Sequence, residues 1–116
     1  MEEQQDLIVA AMEIITHAGD ARNFAKQARA ALRSMDDELV KELMQSAKDE
    51  IAIAHRSQTA IIQDEARGIR YEYSMLFNHA QDTLMTINSE IELTQDMIDT
   101  FQFLFDQLAI KEKAHV

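Results

Sequence analysis

The sequence predicts an all-α fold, an antiparallel three-helix bundle. The absence of proline, the scarcity of glycine and one periodicity predict it. The 116 residues contain no proline, and Gly19 and Gly68 are the only glycines. Helix interiors exclude proline and disfavour glycine, whereas sheets need turn residues far more often than this. Apolar residues also recur at alternating steps of three and four, the spacing of helices packed in a bundle. The length suits a single domain over 1–116.

The first helix is expected from about Glu3 to Arg33. Its stripe is Leu7, Ala11, Ile14, Ala18, Ala21, Ala25, Ala28 and Leu32. Most of it is alanine, so partner helices can approach closely. Gly19 lies mid-way and is a candidate bend. A turn follows at Ser34-Met35-Asp36-Asp37. Ser34 or Asp36 can cap the next helix, and the acids suit its positive end.

The second helix is expected to reach about Ala66. Its stripe is Val40, Met44 with Leu43, Ala47, Ile51, Ala54, Gln58, Ile61 and Glu65. Gln58 and Glu65 are polar on an inner line. Buried polar groups must find partners, so both should bond across the bundle or face an opening. Gly68 is the expected C′ residue.

The third helix is expected from near Ile69 to about Glu112, with Lys111 and Lys113 suiting its negative end. At about 100° per residue it has three faces. Tyr73, Leu76, Ala80, Leu84, Ile87, Ile91, Ile98, Phe101 and Phe105 form the core stripe. Gln81, Asn88, Glu92, Gln95, Asp99 and Asp106 form a solvated face. Opposite the core lie Met75, Asp82, Thr86, Ser89, Leu93, Met97 and Leu104. A monomer has no reason to show water such an apolar line, which suggests an interface with further copies of the chain.

Composition excludes several functions. The formal charge of −10 argues against nucleic acid, which needs a basic stripe, and suits a basic partner surface. No cysteine is present, so disulfides and thiolate metal sites are ruled out and a reducing cytoplasm fits. No apolar run approaches the roughly 20 residues that span a bilayer, so no direct membrane insertion is expected. The start, Met1-Glu2-Glu3-Gln4-Gln5-Asp6, lacks the basic region of a signal peptide.

Candidate chemistry centres on the third helix. His79 and Asp82 stand at i and i+3, about one turn apart. An imidazole can carry a phosphoryl group or bind a metal. A carboxylate in a symmetric interface meets copies of itself, and that repulsion needs a proton or cation to relieve it. All-oxygen ligation suits a hard ion such as magnesium. The plain alternative for Asp82 is a solvated side chain in a monomer.

Three runs then bring a family into view. They are Ala18-Gly19-Asp20-Ala21-Arg22; Ala54-His55 with Gln58-Thr59 and Glu65-Ala66-Arg67-Gly68; and His79-Ala80-Gln81-Asp82-Thr83-Leu84-Met85-Thr86. In that order and spacing the chain resembles the lactose/cellobiose-type enzyme IIA proteins of the bacterial sugar phosphotransferase system. The resemblance covers essentially the whole chain. It implies a homotrimer of three-helix protomers, nine helices in all, in the cytoplasm. It implies that His79 is phosphorylated and that three Asp82 copies bind one Mg2+ on the three-fold axis. The implied donor is the histidine-containing phosphocarrier protein, and the implied acceptor is the cognate enzyme IIB, on a cysteine. The implied end is uptake and phosphorylation of a β-linked disaccharide of lactose, cellobiose or chitobiose type, through a separate IIC transporter. Thr83 departs from many relatives, which carry a second histidine there; Arg67-Gly68-Ile69-Arg70 falls in a variable loop.

Other candidates read as structural. His55 is expected to partner Gln58 or a carboxylate. His17 is expected to be structural or at the surface, and His115 to be disordered at the tail. Gln58 and Gln81 are open between orienting His79 and packing. Arg22 is open between phosphate and an acid such as Asp20. The seven Met residues read as core and interface filler. A competing class is a non-enzymatic, acidic helical-bundle interaction module in which His79 is incidental. A carboxylate metalloenzyme fails for want of Glu-x-x-His pairs.

Overall fold

The computed structural model describes residues 2–114, so the expectation for His115 lies outside the described residues. Three helices form: α1 (Glu2–Arg33), α2 (Asp37–Ala66) and α3 (Met75–Ala114). No strand occurs among the described residues. The body is long and thin, 72 × 22 × 18 Å.

Every residue of the predicted α1 stripe is buried. The alanines Ala11, Ala18, Ala21 and Ala28 are completely enclosed, as are Ala47 and Ala54 of α2 and Ala80 of α3. Small side chains therefore line the contact on all three helices. The larger enclosed side chains are Ile14, Val40, Leu84 and Ile87. Each such side chain removed from water stabilises by about 1.5–3 kcal/mol. α1 runs unbroken through Gly19, where an added Cβ would meet nothing within 4 Å.

Two of the helix ends share one device. After α1, the amide of Met35 donates to Leu32 O at 3.0 Å and that of Asp36 to Ala31 O at 3.1 Å. After α2, the amide of Gly68 donates to Glu65 O and that of Ile69 to Asp64 O, both at 3.0 Å. Both are Schellman pairings, which satisfy otherwise orphaned carbonyls and place the C′ residue at positive φ. Gly68 takes φ 97° as expected. At the first turn, however, Met35 takes φ 61°. Asp36 caps α2 by accepting from the Leu39 amide at 3.2 Å.

The third helix corrects the sequence reading. It begins at Met75, not near Ile69, and residues 69–74 are irregular. Ser74 is the start signal: its Oγ accepts from the Phe77 amide at 3.1 Å and its carbonyl from the Asn78 amide at 3.1 Å. The preceding segment is tied down. Gln4 brackets Glu72, donating to its carbonyl at 3.3 Å and accepting from its amide at 3.0 Å. Tyr71 donates its hydroxyl to Asp64 Oδ2 at 2.8 Å.

The core stripe of α3 is Phe77, Ala80, Leu84, Ile87, Ile91, Thr94 and Ile98. Tyr73, Leu76, Phe101 and Phe105 were expected in it and are exposed. Tyr73 precedes the helix, and Leu76 lies in its first turn one position from the buried Phe77. Phe101 and Phe105 stack on each other with centroids 6.5 Å apart. They lie where α3 passes the turn joining α1 to α2, beside Met35 and Val40. Glu65 is likewise exposed rather than inward, because it sits in the last turn of α2. Gln58 does bond across the bundle.

Candidate functional site

His79 is the fifth residue of α3, in the second turn, and its side chain is exposed. The later start of α3 matters for chemistry. Cα–Cβ bonds on a helix tilt toward its N-terminus, so the ring leans toward the first turn. That end carries roughly half a positive charge and amides without helical partners. Ser74 occupies one of them. An anionic group on His79 therefore stands close to the favourable end of the helix.

Asp82 is also exposed and lies one turn further on, a rise of about 4.5 Å. It takes part in no ion pair among the described residues. Met75, Leu93, Met97 and Leu104 are each more than half exposed. The apolar line opposite the core is thus real, and the chain's own helices leave it uncovered.

Between His79 and Asp82 stands Gln81, half-buried and turned to α2, where its Oε1 accepts from Gln58 Nε2 at 3.1 Å. Gln58 therefore bonds to Gln81, not to His55. Arg22 does not pair with Asp20; its Nε donates to Glu90 Oε2 of α3 at 2.8 Å. His17 is bound to Glu50 of α2, Nδ1 to Oε2 at 2.5 Å. Sequence reasoning missed Thr94, buried and accepting from Arg29 Nη1 at 2.9 Å. A threonine on a helix carries no signal of that role until its neighbour is known. Ser74 was recoverable, since a serine just before an apolar periodic run is an N-cap signal.

His79 is thus an exposed imidazole with open access, held on a rigid helix. Comparison with known proteins gives the family. The family model for the "PTS system, Lactose/Cellobiose specific IIA subunit" matches residues 9–102. The chain belongs to the lactose/cellobiose-specific IIA family. It is 35% identical over 107 residues to the lichenan-specific phosphotransferase enzyme IIA component of Bacillus subtilis, covering 92% of this chain and 96% of that one. It is 32% identical over 102 residues to the lactose-specific EIIA component of Lacticaseibacillus casei, covering 88% and 91%.

Among solved structures, the PTS cellobiose-specific enzyme IIA from Bacillus anthracis matches with a TM-score of 0.80 at 36% identity, over 86% of this chain and 92% of that one. PtcA from S. mutans matches with a TM-score of 0.81 at 35% identity, over 84% and 96%. The IIA chain is therefore a phosphotransfer component of sugar uptake on a three-helix scaffold. No helix among the described residues is long and apolar enough to cross a membrane.

Proposed function

We propose that His79 carries the phosphoryl group. A neutral imidazole nitrogen attacks the phosphorus of a phosphohistidine on the histidine-containing phosphocarrier protein. The N–P bond to the donor breaks as the bond to His79 forms. The thiolate of the cognate enzyme IIB then takes the group, and His79 returns to neutral imidazole. Both N–P bonds are labile, so the group can move onward. The carrying observation is the exposure of His79 in the second turn of α3. Two partners must reach it in turn, and the helix end steadies the anion between visits.

The working form is a cytoplasmic homotrimer packed through α3, with the single domain spanning 1–116. The uncovered line Met75, Leu93, Met97 and Leu104 supports this. Leu93 and Met97 also border a hollow of about 290 Å³ between α1 and α3 that a neighbouring copy can fill. Asp82 shares the line, so three carboxylates converge on the axis. Their oxygens suit one Mg2+, and among the described residues of the chain no cation pairs with Asp82, which leaves the charge for the ion to neutralise. Its contribution is to hold the trimer together; His79 performs the transfer. The sugar is a β-linked disaccharide, in keeping with relatives named for lactose and cellobiose.

Incubation with phosphoenolpyruvate and the general phosphotransferase proteins tests the carrier role. Acid-labile, base-stable phosphate should appear on the chain. His79→Ala should fold, remain trimeric and take none, while His17→Ala and His55→Ala still take it. Label on His79→Ala would place the nucleophile elsewhere. No label on any form would favour a non-enzymatic interaction module.

A further inference from the structure

The run His-Ala-x-Asp occurs twice, as His17-Ala18-Gly19-Asp20 and His79-Ala80-Gln81-Asp82. In both, the alanine is completely buried, so the His and Asp flank a core position. The surroundings differ. His79 is exposed, whereas α2 brings Glu50 up to His17. The nitrogen of His17 and carboxylate oxygens of Asp20 and Glu50 all lie within 4.8 Å of one another.

The cluster carries two carboxylates and one imidazole. Arg22, two residues from Asp20, is committed to Glu90 on α3. Asp20 forms no ion pair among the described residues. The excess negative charge repels a phosphoryl donor and attracts a cation. His17 and Glu50 are held half-buried between two rigid helices, while Asp20 faces solvent and leaves an entry path.

We propose that His17, Asp20 and Glu50 form a zinc-class divalent metal site, one per chain, that ties α1 to α2. An imidazole nitrogen with two carboxylates suits Zn2+ better than Mg2+, which keeps to oxygen. Tetrahedral bonds of about 2.0–2.2 Å put ligand atoms roughly 3.4 Å apart. His17 Nδ1 and Glu50 Oε2, now 2.5 Å apart, need only spread by about 0.9 Å on that geometry. The exposed Asp20 swings inward from within 4.8 Å. The ion takes the place of the proton between His17 and Glu50, with the remaining imidazole proton on Nε2. Water fills the open position. Gly19 beside the cluster puts no side chain in the way.

The test is calorimetric titration of the purified full-length protein with Zn2+ in metal-free buffer. One Zn2+ per chain is expected, and it should persist in the His79→Ala/Asp82→Asn double variant. His17→Ala should abolish it. Asp20→Asn alters only an exposed carboxylate, so folding is not in question, and it should weaken binding roughly tenfold or more, since even outer partners of a metal ligand are worth that much. Equal Mg2+ should not compete. Absence of Zn2+ binding, binding indifferent to both His17→Ala and Asp20→Asn, or binding lost in the double variant would each overturn the proposal.

Discussion

Gln58 of α2 donates to Gln81 of α3 at 3.1 Å, two residues beyond His79. Positions i and i+2 on a helix lie about 200° apart and do not face each other. The bond therefore turns Gln81 to the opposite side of α3 from the His79 ring. On that geometry we expect the pair to act as a packing contact rather than to orient His79. Removing either amide should cost about 1 kcal/mol, as for a half-buried neutral hydrogen bond. A double-mutant cycle of Gln58→Ala and Gln81→Ala should show coupling of that order in urea melts. Phosphoryl acceptance by His79 should survive both. Transfer lost without loss of stability would instead mean that Gln81 serves the phosphate.

Met35 should be replaceable with profit. Its φ of 61° costs an L residue about 1–2 kcal/mol, and its side chain is half exposed. Glycine removes that strain but adds unfolded-state freedom worth about 0.5–1 kcal/mol. Met35→Gly should therefore raise stability by roughly 0.5–1 kcal/mol, read as a higher denaturation midpoint at unchanged m-value. A lower midpoint would mean that the Met35 side chain contributes more beside Phe101 and Phe105 than its backbone costs.

These two sites also mark what was legible beforehand. The alanine stripe of α1 was fully readable, because α1 is packed along its length and its 3/4 spacing has no competitor. The Gly68 stop was readable because only glycine takes that conformation without strain. Met35 was not, since nothing about methionine announces positive φ. The start of α3 was misplaced because residues 69–74 contain apolar and aromatic side chains that extend a helical pattern, while Ser74 and the Gln4 clamp stop it. Phe101 and Phe105 continue the stripe perfectly in sequence. They leave the core only because α1 ends at Arg33. At the site, the His79/Asp82 pair stood out by spacing, but the Glu50 that separates His17 from His79 lies 33 residues from its partner.

Alkaline stability should report on Tyr71. Burial first, then the hydrogen bond and charge of Asp64, raise its pKa from the ordinary 10.0 to about 12. The folded chain thus holds this proton more tightly than the unfolded chain does. Its contribution is fully present below pH 10 and is lost as pH climbs through about 12. Tyr71→Phe should cost about 1 kcal/mol at neutral pH. It should also remove that part of the loss seen between pH 10 and 12. Parallel stability–pH curves for the two proteins would show that the hydroxyl does not couple to folding.

Assembly is checked by mass. The proposed homotrimer, packed through the uncovered α3 line, predicts light scattering at about three times the 13.3 kDa chain. Leu93→Lys and Met97→Lys place charge on that line without touching the core, and together should drive the chain toward monomer. A monomer for the unsubstituted protein at micromolar concentration would remove the basis for the axial metal.

Asp82 gives the least intuitive outcome. If three copies meet on the axis, each carboxylate is flanked by two others, and their repulsion out of water opposes assembly. A divalent ion relieves it by binding only the assembled form, so added Mg2+ should raise the melting temperature and a chelator should lower it. Asp82→Leu removes the three charges and fills the axis with apolar side chains. In protein freed of zinc, the variant should then ignore both Mg2+ and chelator, and the trimer should be as stable as the parent or more so, as when buried charge gives way to well-packed apolar groups. Because the His17 cluster is untouched in this variant, the Mg2+ arm separates the two sites: its effect should vanish in Asp82→Leu and persist in His17→Ala. Melting indifferent to both Mg2+ and chelator in the parent trimer would leave Asp82 as a solvated side chain with no part in assembly.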